Sequence, residues 1–141
     1  MGVSLYYSAY REGGIGEEEL RRVREIADEE TERLLAEIGR CLPAWKESGA
    51  VPPETEEPGE LCEGLSIVTP DDPGDPRELF RGSSKVSHAE CEMEVMMMQL
   101  DHYLKVSLGR LRQAVPGAEW RVHLDDADLV WQEDEGEYTF G

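Results

Sequence analysis

Basic side chains are scarce in this sequence. Its 141 residues carry 14 Lys plus Arg against 32 Asp plus Glu, which gives a formal net charge of −18 at pH 7. Binding to phosphate backbones or to anionic lipid headgroups needs clusters of Lys and Arg, and a strongly negative chain is repelled by both. We therefore predict that the protein binds neither nucleic acid directly nor membrane surfaces.

The sequence also has few cysteines and no long apolar run. Its three cysteines, Cys41, Cys62 and Cys91, form no Cys-x-x-Cys pair, and an odd number favours reduced thiols over a disulfide framework. No apolar stretch approaches the ~18 residues of a membrane span. The first residues lack the basic and apolar regions of a secretory signal. These absences predict a soluble protein of the cytoplasm.

The length fits one domain with a real hydrophobic core. A chain of 141 residues buries roughly 68–70% of its unfolded surface on folding. Proline, glycine and acidic residues concentrate in two stretches, which predicts long loops at about 43–63 and 69–78. We predict a single α+β domain over residues 1–141.

Apolar periodicity predicts the elements of the first half. Alternation over residues 3–10 is typical of a half-buried strand. An apolar stripe over 17–41 predicts a helix that Pro43 ends. Short strands are predicted at 65–68 and 79–86.

A second long helix is predicted from the capping box formed by Ser87 and Glu90 to the stop signal at Pro116 and Gly117. A strand at 120–124 follows, and residues 129–132 and 137–140 predict a terminal hairpin. The core stripe predicted for this second helix consists of Met93, Met97, Leu100, Leu104, Leu108, Leu111 and Val115.

This order of elements is that of a ferredoxin-like βαββαβ unit with a C-terminal β-hairpin extension. Such a unit has an antiparallel sheet with two long helices packed on one face, and its first strand lies between the third and the fourth. The outward side chains of those three strands then share one surface, the open face. Its predicted members are Tyr6, Ser8, Tyr10, Arg81, Ser83, Lys85, Arg121 and His123.

Three interpretations of the open face stay open. It is a solvated surface with cross-strand pairs, or the contact between two copies in a homodimer, or a site for an anionic small molecule. In the third case Arg81 and Arg121 hold the anion and His123 acts as an acid or base. The ligand-binding residues in that case are Tyr6, Tyr10, Arg81, Lys85, Arg121 and His123.

No motif identifies a nucleophile or a phosphate loop, so we assign no catalytic residue and favour a protein that is not an enzyme. A run of soft donors, of the kind that Cu(I) accepts, surrounds the start of the second helix. Because Met93 and Met97 belong to the predicted core stripe, we expect packing there, and we predict neither metal nor cofactor. The soft donors are His88, Cys91, Met93, Met96, Met97, Met98 and His102.

The last residues are the most acidic for their length, because 118–141 hold 8 acidic side chains and 1 basic one. They predict a non-catalytic binding protein that docks on a basic protein partner. One concrete form is an immunity or inhibitor protein that presents carboxylates where a nucleic-acid phosphate would sit. The alternatives are a ligand-binding module or enzyme that uses the open face, and a domain whose charge only keeps it soluble. The predicted partner-binding residues are Asp125, Asp126, Asp128, Trp131, Glu133, Asp134, Glu135 and Glu137.

Overall fold

The computed structural model describes residues 2–71, 74–86, 88 and 91–140. The protein is α+β, with a four-stranded antiparallel sheet, a two-stranded sheet and two long helical segments. The four-stranded sheet has the order β2-β1-β3-β4, and the two-stranded sheet pairs β5 with β6. The strands are β1 Ser4–Tyr10, β2 Glu78–Lys85, β3 Glu119–Leu124, β4 Ala127–Asp128, β5 Val130–Gln132 and β6 Glu137–Thr139. The helices are α1 Glu17–Ser48, α2 Met93–His102 and α3 Leu108–Ala114, with a π-helical turn at Tyr103–Ser107 and a 3-10 turn at Pro58–Glu60.

Strand β1 lies between β2 and β3 and pairs antiparallel with both, as the sequence predicted for the first, third and fourth strands. Its side chains alternate between the two faces because successive residues of a strand point in opposite directions. Leu5, Tyr7 and Ala9 are buried in the core, whereas Tyr6 is exposed. The predicted alternation is therefore confirmed on the strand that both neighbours share.

Helix α1 does not end at Pro43. It continues to Ser48, where Gly49 adopts the left-handed conformation with φ of 83°. Pro43 lacks the N–H that would bond to the carbonyl four residues earlier, at a cost of about 3 kcal/mol. The extra turns bury Leu42 and Trp45, each worth roughly 1.5–3 kcal/mol, and this burial offsets the proline. The first long loop therefore begins six residues later than the predicted position 43.

The second helical segment runs through α2, the π-helical turn and α3 without a break. It begins at Met93 with Glu92 as the N-cap, later than the predicted start at Ser87, because Cys91 and Glu92 are not helical. Ser87 and Glu90, the predicted capping box, lie outside the described residues. The core stripe was predicted correctly from Leu100 onwards, but Met93 and Met97 are 70% and 40% exposed. Val95 and Gln99 are buried instead. A π-helical turn holds one more residue than an α-helical turn, so it changes which upstream residues face the core.

The strand predicted at 65–68 is present only as a single antiparallel bridge between Val68 and Arg81. Backbone N–H groups that would pair with a neighbouring strand donate to side-chain oxygens instead. The amide of Leu65 donates to Thr31 Oγ1 at 3.0 Å, and the amide of Ser66 donates to the hydroxyl of Tyr7 at 2.9 Å. The segment is thus held against the sheet by polar contacts, which periodicity alone does not reveal.

A buried carboxylate joins the two helical segments. Glu30 of α1 is fully buried, and its carboxylate accepts hydrogen bonds from Arg110 at 2.7 Å and from Arg33 at 3.1 Å. His102 Nε2 lies 2.9 Å from Glu30 Oε1, and the hydroxyl of Ser107 lies 3.4 Å from the same oxygen. A buried charge is tolerated only when it is paired and hydrogen-bonded, and these contacts meet that requirement.

A second polar group lies inside the core. The hydroxyls of Tyr7 and Ser84 are 3.0 Å apart, and Cys62 Sγ is 3.6 Å from the hydroxyl of Tyr103. Burial raises the pKa of Tyr7, of Tyr103 and of the Cys62 thiol above their ordinary values. The groups are therefore neutral at physiological pH, as a low-dielectric interior requires.

We expect Gly82→Ala to destabilise the protein. A Cβ at position 82 would lie 2.0 Å from the carbonyl oxygen of Ser66 and 2.4 Å from Cε2 of Tyr7. Overpacking of this kind costs typically 1–3 kcal/mol or more, measured as the free energy of unfolding in urea. Gly59→Ala is the matched control, because nothing lies within 4 Å of its Cβ position and its φ is not positive. Equal stability of the two variants would contradict the close packing of β2 against Tyr7.

Candidate functional site

The C-terminal acidic segment, residues 125–137, is folded against the body of the protein. The amide of Leu129 donates to the carbonyl of Val122 at 2.9 Å, and Leu129 itself is buried. In the hairpin, Trp131 opposes Tyr138, and Tyr138 is only 4% exposed. The segment is therefore a structured surface rather than an appendage.

Trp131 is held in place by an arginine of α3. The guanidinium of Arg112 lies 4.4 Å from the centroid of the Trp131 ring, and its Nη1 donates to the hydroxyl of Tyr138 at 2.9 Å. The two aromatic rings meet edge to face at 5.1 Å. Burial raises the pKa of Tyr138, and the charge of Arg112 and its hydrogen bond partly oppose that rise. This cation–π and hydrogen-bonded cluster fixes the hairpin on α3.

A groove of about 330 Å³ lies beside the hairpin and includes both Trp120 and Trp131 in its walls. The backbone of α3 approaches the hairpin closely at Gly109, whose Cβ position would be 3.6 Å from the Trp131 ring and 3.3 Å from the carbonyl of Gly136. The indole N–H of Trp131 donates to the carboxylate of Glu133 at 2.6 Å. One tryptophan edge, one cation and one carboxylate thus border the same groove.

The carboxylates of the segment do not form one cluster. Asp125 and Asp126 make the turn after β3, where the Asp125 carboxylate accepts the Ser4 amide at 3.0 Å. Glu133, Asp134 and Glu135 form the exposed tip of the hairpin. The groove near that tip contains Trp120, at the opposite end of β3 from this turn, and a strand rise of ~3.4 Å per residue puts Trp120 roughly 17 Å from Asp125. The structure therefore brings Trp131 together with the tip and leaves Asp125, Asp126 and Asp128 as a second acidic patch.

These carboxylates differ from those of α1 in their partners. Six of the ten acidic side chains of α1 form ion pairs with Arg or His residues. Among the described residues, none of the seven acids of the C-terminal acidic segment forms one. The seven are Asp125, Asp126, Asp128, Glu133, Asp134, Glu135 and Glu137. No cation of the described residues therefore compensates their charge through an ion pair.

The open face has the composition predicted for it. Tyr6 stacks on His123, its cross-strand neighbour, with ring centroids 4.9 Å apart. The guanidinium of Arg121 lies 4.4 Å from the centroid of the Tyr10 ring, so Tyr10 is mostly covered. Nδ1–H of His123 donates to the carbonyl of Asp125 at 2.7 Å, which leaves Nε2 as the ring's other polar atom. Ser83 and Lys85 lie on the same face as their register predicts.

One acid of the open face was not predicted. Glu78 opposes Tyr10 because a register shift between Ala9 and Tyr10 displaces the pairing by one residue, and its carboxylate accepts from Arg81 at 2.6 Å. Both line a depression of about 200 Å³, together with Tyr6 and His123. Arg81 is therefore already neutralised, and Arg121 is the better placed cation for an incoming anion. A β-bulge of this kind has no sequence signal here that periodicity would reveal.

No group of three or more His, Cys, Asp or Glu side chains in the described ranges is arranged to hold a metal ion. No described helix combines the length and apolar character that crossing a membrane requires. Comparisons of the chain with models of protein families, with curated proteins and with solved structures found no match. The function must therefore be inferred from the geometry.

We expect Arg112→Ala to loosen the hairpin. Loss of one cation–π contact and one hydrogen bond should lower the free energy of unfolding by about 1–2 kcal/mol. Hydrogen exchange should speed up at the amides of β5 and β6. Arg121→Ala is the matched control, since it removes a cation–π contact on the open face without touching the hairpin. Equal exchange of the hairpin amides in both variants would show that Arg112 does not hold it.

Proposed function

We propose that the protein is a non-catalytic binding protein whose C-terminal acidic segment docks on a basic protein partner. The observation that carries this proposal is the contrast in ion pairing. Five of the ten acids of α1 are paired with cations of the same helix and a sixth is paired with Arg11, whereas the seven acids of the segment have no such partner in the part of the chain that the structure describes. Uncompensated carboxylates on an ordered surface attract a cationic partner and accelerate its encounter.

The order of the hairpin supports docking over simple solubility. A flexible acidic tail would lose conformational entropy on binding, whereas a hairpin fixed by Arg112 and Tyr138 has already lost it. Trp131 is half-buried at the edge of the groove, and tryptophan next to charged groups is typical of interface hot spots. We therefore place the centre of the interface at Trp131 and the hairpin tip, with Asp125, Asp126 and Asp128 as a second point of contact.

An immunity or inhibitor protein is the concrete form of this function that we favour. Two carboxylate groups, one at the turn after β3 and one at the hairpin tip, would face basic side chains that otherwise bind phosphates of a nucleic acid. Such a protein needs no catalytic residue of its own. Binding of the partner and of nucleic acid would then be mutually exclusive.

The first test compares two variants of equal net charge. Asp134→Asn combined with Glu135→Gln removes two charges from the hairpin tip, and Asp28→Asn combined with Glu32→Gln removes two exposed charges from α1 that form no ion pair among the described residues. With a nona-arginine peptide as the probe, we expect the tip variant to bind about fivefold more weakly, from roughly 0.5 kcal/mol per exposed pair. The α1 variant should change the Kd less than twofold.

The salt dependence of the same titration completes this test. Binding by surface charges should weaken steeply between low and physiological ionic strength, because the Debye length falls to about 8 Å. If the tip and α1 variants lost equal affinity for the peptide, binding would depend on net charge alone. That result, or an affinity that does not change with salt concentration, would contradict a docking site at the hairpin.

The second candidate function is the binding of an anionic small molecule at the open face. It is favoured by one observation: Tyr6 and His123 stack on each other at a depression of about 200 Å³, and Arg121 lies over Tyr10, which lines the same depression. We expect Arg121→Ala combined with His123→Ala to abolish binding of a nucleoside monophosphate, used as the probe, without lowering the melting temperature by more than a few degrees. Unchanged binding would remove this candidate.

We propose three further properties of the protein. The position of β1 and the Val68–Arg81 bridge at the outer edge of β2 support a ferredoxin-like βαββαβ arrangement with a reduced second strand and both helices on one face. The three described cysteines form no disulfide, which supports a cytoplasmic location. A second copy of the chain on the open face, paired through Tyr6 and its neighbours, would give a homodimer.

A further inference from the structure

Two methionines at the start of α2 are exposed beside Met96, which packs partly against the core. Met93 and Met97 are largely exposed, and Met96 is only half-buried. Residues three and four apart are neighbours on a helix surface, so these three thioethers lie on one side of α2. The packing role that the sequence predicted for Met93 and Met97 is wrong, whereas Cys91, Met96 and Met98 do pack against the core.

A cavity of about 210 Å³ lies against this face. The residues that line it are Val86, His88, Cys91, Glu92, Met93 and Met96. Residues that carry one imidazole, one thiol and two thioethers therefore border a single space. Nε2 of His88 is buried, and none of the described residues offers it a hydrogen bond. A buried polar nitrogen without a partner is costly, which points to a ligand as its partner.

We propose that His88, Cys91, Met93 and Met96 bind one Cu(I) ion. Thiolate and thioether sulfurs are soft ligands that select Cu(I), and a neutral imidazole suits the same ion. On binding, the Cys91 thiol releases its proton to solvent and the sulfur forms a bond to copper, with no change in oxidation state. The thiolate cancels the charge of the ion, so a half-buried site adds no net charge.

The donor set distinguishes Cu(I) from harder ions. Zinc takes Cys, His and carboxylate ligands, usually four of them, and does not depend on thioethers. Only His88 and Cys91 among the four proposed ligands belong to that class. The site shares no residue with the C-terminal acidic segment or with the open face, so it is independent of the proposed function.

The test is an anaerobic titration with Cu(I) in competition with bicinchoninate, which reports both stoichiometry and affinity. We expect one ion per chain, and at least about a tenfold loss of affinity in each of three variants. These are His88→Ala, Cys91→Ser, and Met93→Leu combined with Met96→Leu. Cys41→Ser and Met98→Leu are matched controls, since each removes a half-buried sulfur that does not line the cavity. The controls should change the affinity less than twofold.

A second measurement keeps the proposal testable if a variant folds poorly. Ag(I) has the same closed shell as Cu(I) and no redox chemistry under these conditions. In methionine methyl NMR spectra of the unmutated protein, Ag(I) should shift Met93 and Met96 and leave Met98 unchanged. Full affinity in the double methionine variant, equal losses in Cys41→Ser and Cys91→Ser, or equally tight binding of Zn(II) would overturn the proposal.

Discussion

The pairing of β1 with both β2 and β3 is the constraint on which the rest of the structure depends. It places Leu5, Tyr7 and Ala9 in the core and Tyr6 on the open face, because the strand alternates. It also fixes where β3 ends, and the Ser4 amide then meets the carboxylate of Asp125 at the turn that leads into the acidic segment. Core, open face and acidic segment are thus consequences of one register.

Acidic side chains in this protein differ from one region to another in whether they have cationic partners. On α1 the acids alternate with arginines, and these pairs limit self-repulsion along 32 residues of helix. The buried acid Glu30 is matched by Arg110 and Arg33 and joins the helical segments. The described acids beyond Leu124 form no ion pair with a described cation, and neither do those of the loop that follows α1. This contrast supports the view that the C-terminal charge serves a partner.

The sequence predicted what depends on local periodicity and failed where tertiary contacts decide. Alternation in β1 and β3 was sufficient to place Arg121 and His123 on the face with Tyr6. Three errors have one origin, which is that packing overrides local preference: Pro43 inside α1, the bridge in place of a strand at 65–68, and the exposure of Met93. The first two depend on contacts with residues distant in the chain, and the third depends on the π-helical turn that follows α2.

The candidate sites also have some features that the sequence predicts and others that depend on tertiary contacts. The carboxylates of the acidic segment are visible in composition alone, but their separation into a turn and a hairpin tip follows from the length of β3. The cation–π contact between Trp131 and Arg112 and the ion pair between Glu78 and Arg81 could not be predicted from the spacing of residues in the sequence.

The most direct test of the central claim is backbone amide NMR during a titration with a nona-arginine peptide. The account predicts shifts confined to residues 125–137 and the Trp131 indole, and shifts centred on the acids of α1 would contradict it.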